Sequence, residues 1–476
     1  MAQLMVVLDA TVVNIALPHA QAALHISNDN RQWVVTAYSL AFGGLLLLGG
    51  RIADFTGRKR AFLIGIVGFA AASAVGGLAT SEAMLFASRA FQGAFAALLA
   101  PAALSILTIT FEHGSARAKA FGVYGAISAG GAAVGLLLGG ILTQYASWRW
   151  TLLINAPIAI LAGLAALRFV PESKAAGDTR YDIPGAISVT GGLAALVFGF
   201  AKASTDGWAS ATTLVSIALG VVLLFTFAIS ERRSSHPLMP LRIPLQRNRG
   251  GSYLATLAIG AGIIGAFLFL IYYMQVVKHY SPITTGLATL PITGIIVIAA
   301  GIATALLRRV GPRIIMTVGS TIGAAGMLLL AQSTVSSAYT HILASELIFG
   351  FGLGLAFTPL QNTATHGVAN DDAGVASALT NATQQIGGAL GAALFNTFYA
   401  TAVTSYLASH AHSSVVQIHA LVHGYDTAFL WSAGALALGA IVSFVLIQTH
   451  PADGRETTAD EAAAQPASAQ SILATT

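Results

Sequence analysis

The chain contains no cysteine. Disulfides, thiol catalysis and Cys-ligated metal are thereby excluded. Charge is scarce as well: Asp, Glu, Lys and Arg make up 9% of the 476 residues, against about 25% in a soluble domain. With 55% hydrophobic residues and a mean hydropathy of +0.75, this is the composition of an integral membrane protein. No phosphate loop of the GxxxxGKS/T form is present, so ATP is not the expected energy source and no cofactor is called for. The net charge of +5 would suit nucleic acid, but the basic residues fall in short loops between apolar runs, where they set topology instead.

What the chain does have is long apolar runs. A bilayer core about 30 Å thick needs about 20 apolar residues in a helix. Such runs occupy 1–23, 33–53, 61–79, 83–109, 119–143, 150–169, 183–201, 211–230, 251–275, 284–307, 312–332, 341–363, 375–402 and 428–448. Fourteen spans put eighteen of the 23 Lys and Arg on one side, which the positive-inside rule makes cytoplasmic together with both termini. Arg31, Arg149, Lys202 and Lys278 fall at the outer interface, and only Arg89 lies within a span. No basic stretch precedes the first run, so that span is expected to act as its own targeting signal.

The chain also repeats itself. Gly57-Arg58-Lys59-Arg60 is echoed by Gly311-Pro312-Arg313 at an offset of 254. Ser88 to Gly93 returns as Ser345 to Gly350, and Gly130-Gly131 as Gly387-Gly388, both at 257. A nearly constant offset predicts two homologous six-helix bundles, 1–170 and 251–450, with an inserted helix pair and its polar linkers at 171–250. The tail 451–476, rich in Ala, Thr, Ser and Gln, reads as disordered.

Everything is arranged around Gly50-Arg51-Ile52-Ala53-Asp54-Phe55-Thr56-Gly57-Arg58-Lys59-Arg60, a tight loop between the second and third spans. Its Gly50, Asp54, Gly57, Arg58 and Arg60 resemble the signature loop of the major facilitator superfamily. Leu8-Asp9-Ala10-Thr11-Val12-Val13-Asn14-Ile15-Ala16-Leu17-Pro18, and Trp148-Arg149-Trp150 followed by Ile154-Asn155-Ala156-Pro157, resemble motifs of its fourteen-span drug:proton antiporter branch. The resemblance covers about 1–450. It implies an all-α membrane fold of two six-helix bundles related by a pseudo-two-fold axis plus two inserted helices. It further implies a proton-driven exporter of small lipophilic compounds in a bacterial inner membrane, expected as a monomer, with neither nucleic acid nor metal as a partner.

An ionisable group inside a bilayer costs at least about 2.5–3.5 kcal/mol, so each one asks for a reason. Asp9 lies about 12 Å along its helix from Met1. Flanked by Leu8 and Val6-Val7, it is expected on desolvation alone to resist ionising, as a proton carrier requires. Its alternative role is a helix cap at the membrane surface. Arg89 falls in Ser88-Arg89-Ala90-Phe91-Gln92-Gly93, which resembles a fourth-helix motif whose arginine is implicated in proton transfer; the alternative is an arginine snorkelling to the outer interface. Glu346, in the echo of that stretch, reads as an interfacial carboxylate. Gly131, Gly135 and Gly139 recur every four residues and give the fifth span a bare face for close helix packing. They resemble the antiporter motif, except that Leu136 stands where that motif has proline.

Asp54 is expected to latch the cytoplasmic side through Arg58 or Arg117, or else to cap a helix. Asn14, Tyr38, Gln92, Gln275, Gln361, Asn381 and Gln385 are candidates for a substrate cavity, because polar groups avoid lipid, although they could equally glue helices together. His410, His412, His419 and His423 crowd the stretch before the last span, and His419 and His423 have i,i+4 spacing, but no carboxylate or Cys lies near until Asp426. An exporter of one endogenous metabolite, an intramembrane enzyme and a non-transporting sensor are the competing functions. The enzyme would need a Ser/His, paired-Asp or metal constellation within spans, and the sequence shows none.

Overall fold

The computed structural model describes residues 1–111, 114–174, 182–234, 237–368, 373–410 and 413–448. They form helices α1 (Ala2–Ala23), α2 (Trp33–Thr56), α3 (Arg58–Gly77), α4 (Glu82–Thr110), α5 (Gly114–Tyr145), α6 (Trp150–Leu153), α7 (Asn155–Phe169), α8 (Ile183–Asp206), α9 (Ala211–Arg233), α10 (Arg247–Tyr272), α11 (Pro282–Val310), α12 (Pro312–Leu330), α13 (Tyr339–Thr365), α14 (Ala373–Ser409) and α15 (Ser414–Leu446). A π-helical turn, Tyr273–Val277, extends α10. Thirteen helical segments, one of them α6 and α7 together, are long and apolar enough to cross a bilayer, and α5 adds a shorter apolar stretch at 130–145. The tail 451–476, expected to be disordered, lies outside the described residues.

The helix ends follow from local chemistry. Ser81, Ser210, Ser281 and Ser413 each accept a hydrogen bond from the backbone N–H three residues on, satisfying a donor the helix start would otherwise leave open. At Gly57 and Gly311 a single residue separates consecutive spans, with φ of 113° and 80°. That reversal needs glycine, since a Cβ disfavours positive φ. The two glycines stand at the repeat offset of 254, so the sequence echo marks one turn made twice.

The last span begins earlier than the hydropathy indicates. The stretch read as a His-bearing loop is helical from Ser414, capped by Ser413. Its alternating polar residues lower the hydropathy without breaking the helix. His410 stacks on Tyr406 with ring centroids 4.1 Å apart and His423 lies tilted to the same ring at 5.5 Å, while His412 lies outside the described residues.

Helices α1–α7 pack chiefly among themselves, through α2 on α4, α3 on α4, α1 on α5 and α3 on α7. Helices α10–α15 do the same, through α12 on α13, α11 on α13, and α10 on α14 and α15. These groups are called the first and second bundle below. They meet along two seams, α2 with α14 and α5 with α11. The pair α8–α9 packs together, and α8 touches both α2 and α14, where Leu193 and Val197 share a core with Leu40, Ala389 and Ala393. The outer helix α9 turns Leu214, Val215, Leu219, Val221, Val222 and Phe225 outward, as a lipid-facing helix does.

Candidate functional site

Helix α1 carries Asp9 on the face that holds Met5, Leu8 and Val12, and that face is buried. Asp9 is 1% exposed. Arg89 and Gln92 are three residues apart on α4 and therefore share a side of it. Arg89 donates from Nη1 to Asp9 Oδ2 at 2.6 Å, and Gln92 donates from Nε2 to Asp9 Oδ1 at 2.6 Å. A third donor, Asn155 Nδ2, reaches Asp9 Oδ1 at 3.1 Å.

The sixth span supplies that third donor because it is broken. α6 ends at Leu153 and α7 restarts at Asn155, so the Leu152 carbonyl is available to accept from Ser73 Oγ at 2.8 Å. Ser73 Oγ in turn accepts from Asn155 at 2.9 Å and from Gln92 at 3.2 Å. Arg89 Nε donates to the Val34 carbonyl at 2.9 Å, and the guanidinium lies 4.5 Å from the Tyr38 ring centroid. A carboxylate and a guanidinium thus sit inside the first bundle with ordered partners from α1, α2, α3, α4 and α7. Neither the surface cap for Asp9 nor the snorkelling arginine survives this burial. Removing one partner of such a pair costs about 3–5 kcal/mol, because the other is left charged and dry.

The glycine face of α5 packs on α1 next to this cluster. A Cβ at Gly131 would lie 3.3 Å from Val7, one at Gly139 would lie 3.0 Å from Val12, and one at Gly135 would overlap Thr11 Oγ1. Leu136 leaves α5 one continuous helix and is buried with Ile15 of α1 and Ile271 of α10.

At the signature loop Arg58 pairs with Asp54 at 2.9 Å, whereas the Arg117 side chain lies outside the described residues. Sequence reasoning missed Glu172 here. Its carboxylate accepts from the backbone N–H of Lys59 and Arg60 at 3.1 and 3.2 Å, Arg60 Nε lies 3.6 Å from it, and the Ser173 carbonyl accepts from Arg58 N. An acid at a helix start satisfies open donors and opposes the helix dipole. Glu172→Ala is expected to cost about 0.5–2 kcal/mol, the usual range for a lost cap. A thermal-shift measurement in detergent reads it, and an unchanged melting temperature would remove Glu172 from the loop's support. Beside this loop packing requires Gly49 more than Gly50: a Cβ at Gly49 would run into the Ala97 carbonyl, whereas at Gly50 it would meet Pro101 at an ordinary 3.6 Å.

Arg31, expected at the outer interface, is 1% exposed. From the α1–α2 connection it enters the second bundle, where its guanidinium lies 4.2 Å from the Tyr272 ring centroid, 4.3 Å from Tyr399 and 5.5 Å from Phe269. Arg31 Nε donates to Asn396 Oδ1 at 3.1 Å, Asn396 Nδ2 donates to the Asn28 carbonyl at 3.0 Å, and Tyr272 O–H donates to Gln21 Oε1 at 2.6 Å. A cavity of about 500 Å³ adjoins this latch, bordered by Pro18, Asn28, Tyr272 and Tyr425.

The candidate cavity residues divide. Tyr38 and Gln92 belong to the Asp9 cluster. Gln275 Nε2 donates across the bundles to the Ile15 carbonyl at 3.0 Å, and Gln385 lies beside Gly43 at the α2–α14 seam. Asn381 is exposed and donates to Ser377 O of its own helix, while Asn14 and Gln361 are half-buried. Arg149 of the Trp-Arg-Trp motif donates to the Gly77 and Ala79 carbonyls at the end of α3.

A family profile described as Major Facilitator Superfamily matches residues 1–392. The chain is 48% identical to the puromycin resistance protein of Streptomyces alboniger over 97% of its own length and 91% of that protein's. It is 40% identical to the cephamycin export protein CmcT of Amycolatopsis lactamdurans, over 88% of this chain and 87% of the other. Among solved structures, a bacterial homologue of the human lysosomal transporter Spinster shares the fold, with a TM-score of 0.67 and 15% identity over 94% of this chain and 95% of the other.

Proposed function

The chain belongs to the major facilitator superfamily, and from that premise we propose that it is a monomeric exporter of lipophilic drugs or antibiotics, driven by protons across a bacterial inner membrane. The observation that carries the coupling is the buried Asp9–Arg89 pair with its two carboxamide donors. A proton arriving on Asp9 cancels its attraction for Arg89, and the guanidinium must then find new partners. That is a two-state contact of the kind alternating access requires. The relatives' puromycin and cephamycin supply the substrate class.

Eighteen of the 23 basic residues support a cytoplasmic Gly57 face and cytoplasmic termini. The Arg31 latch then closes the outer side. The rocking units are 1–170 and 251–450, and the Asp54–Arg58 pair steadies the cytoplasmic loop in the first of them. Reconstituted into proteoliposomes with an imposed pH gradient, the protein is expected to move puromycin against its own gradient. Loss of movement when an ionophore collapses the pH difference completes the result. Puromycin flux indifferent to the proton gradient would overturn the coupling.

A further inference from the structure

The cluster around Asp9 leaves a second acid unused. Glu346 on α13 is 1% exposed, and both its carboxyl oxygens are buried without a hydrogen-bond partner among the described residues. It was expected as an interfacial carboxylate, and the protein closes it off from solvent. It stands 257 positions after Arg89, so the place that holds the cation in the first bundle holds an acid in the second. Its neighbours on α13, Ile342 and Phe349, share one apolar core with Ile292 of α11 and Met327 and Leu330 of α12.

Charges on the packed helices lie elsewhere. α12 has only Arg313, about 25 Å along the axis from its Leu330 end. α11 has Arg308 and Arg309 in its last turn, α10 has Arg247 and Arg249 in its first, and α14 has no charged residue. Lys278, following the π-turn, donates to the Val335 carbonyl at 2.9 Å. Of the titratable groups, α10 adds Tyr253 and Tyr272 and α14 adds Tyr399 and Tyr406. Tyr339 on α13 is the electrostatic neighbour, with Tyr280 beyond it, and its O–H donates to the Ala288 carbonyl. His341, five positions before Glu346, points to another side of the helix.

A carboxylate charged in that place is closed off from solvent and has no counterion or hydrogen-bond donor among the described residues, and such groups neutralise instead. We propose that Glu346 is a second proton-binding site, protonated in this conformation, which gives its proton to water when the bundles rearrange. The release step rests on the proton-exchange reading above; the protonated state does not.

Infrared spectroscopy of the protein in lipid nanodiscs at neutral pH tests the protonated state without transport. The expected result is a protonated-carboxyl carbonyl band that Glu346→Gln loses, while Asp9→Asn and Asp426→Asn keep it. A band absent from the wild type, or surviving in Glu346→Gln, would overturn the proposal. Should Glu346→Gln not fold, Glu346→Asp serves: a shifted band supports the assignment and an unmoved one overturns it. In proteoliposomes, Glu346→Gln is expected to lower the ratio of protons to puromycin moved, and an unchanged ratio would remove the release step alone.

Discussion

Asp9→Asn protein in proteoliposomes is expected to show no pH-driven puromycin movement, with coupled flux down at least a hundredfold, or about 2.7 kcal/mol. The substitution keeps the shape of the side chain and removes its charge. Arg89, 1% exposed, then has no anion in reach, and the Gln92 and Asn155 amides that donated to a carboxylate meet a group carrying its own N–H. Stability is expected to fall by about 3–5 kcal/mol. A double variant, Asp9→Asn with Arg89→Gln, separates the two effects: stability returns, because no lone charge is buried, and transport does not. Full pH-driven flux in Asp9→Asn would take this carboxyl out of the mechanism.

The second large effect is expected at Arg31. Replacing it by Ala removes a desolvated cation–π contact, worth about 2 kcal/mol, and a charged hydrogen bond, about 1.5–3 kcal/mol. If about 3 kcal/mol of this is specific to the closed latch, the outer-open state gains about a hundredfold in population. The absence of native cysteine makes the measurement clean. Ala16→Cys on α1 is 3% exposed at wild-type Ala16, and a membrane-impermeant maleimide is expected to label it from outside ten- to a hundredfold faster when Arg31 is Ala. Arg31→Lys should not restore protection, because an ammonium cannot stack flat between Tyr272 and Tyr399. Equal labelling rates would mean the latch closes nothing.

The spans were legible because apolar length is a property of the chain alone, and the single-glycine turns at 57 and 311 fixed their junctions. The start of α15 was not, since polar residues on a helix that outruns the apolar core look like loop to a hydropathy count. Asp9 and Arg89 were visible as charges inside spans. Their pairing was not, because 80 positions separate them. Ser73 is neutral and carries little cost in a span, so nothing singled it out, while Asn155 was visible only inside the Ile154-Asn155-Ala156-Pro157 motif, with no role attached to it. The burial of Arg31 was hidden for the opposite reason: its sequence neighbours Asn30 and Gln32 are polar, while the rings that bury it come from α10 and α14. Glu172 caps a helix more than 110 positions earlier, which local reading cannot find.

The placement of α8 has a further result. It covers the groove between α2 and α14, and among the described residues the inserted pair packs on neither α5 nor α11. One seam between the bundles is therefore covered by α8, and the other, between α5 and α11, is not covered by the inserted pair. The two seams are thus unequally covered: parting α2 from α14 must also disturb α8, whereas parting α5 from α11 need not.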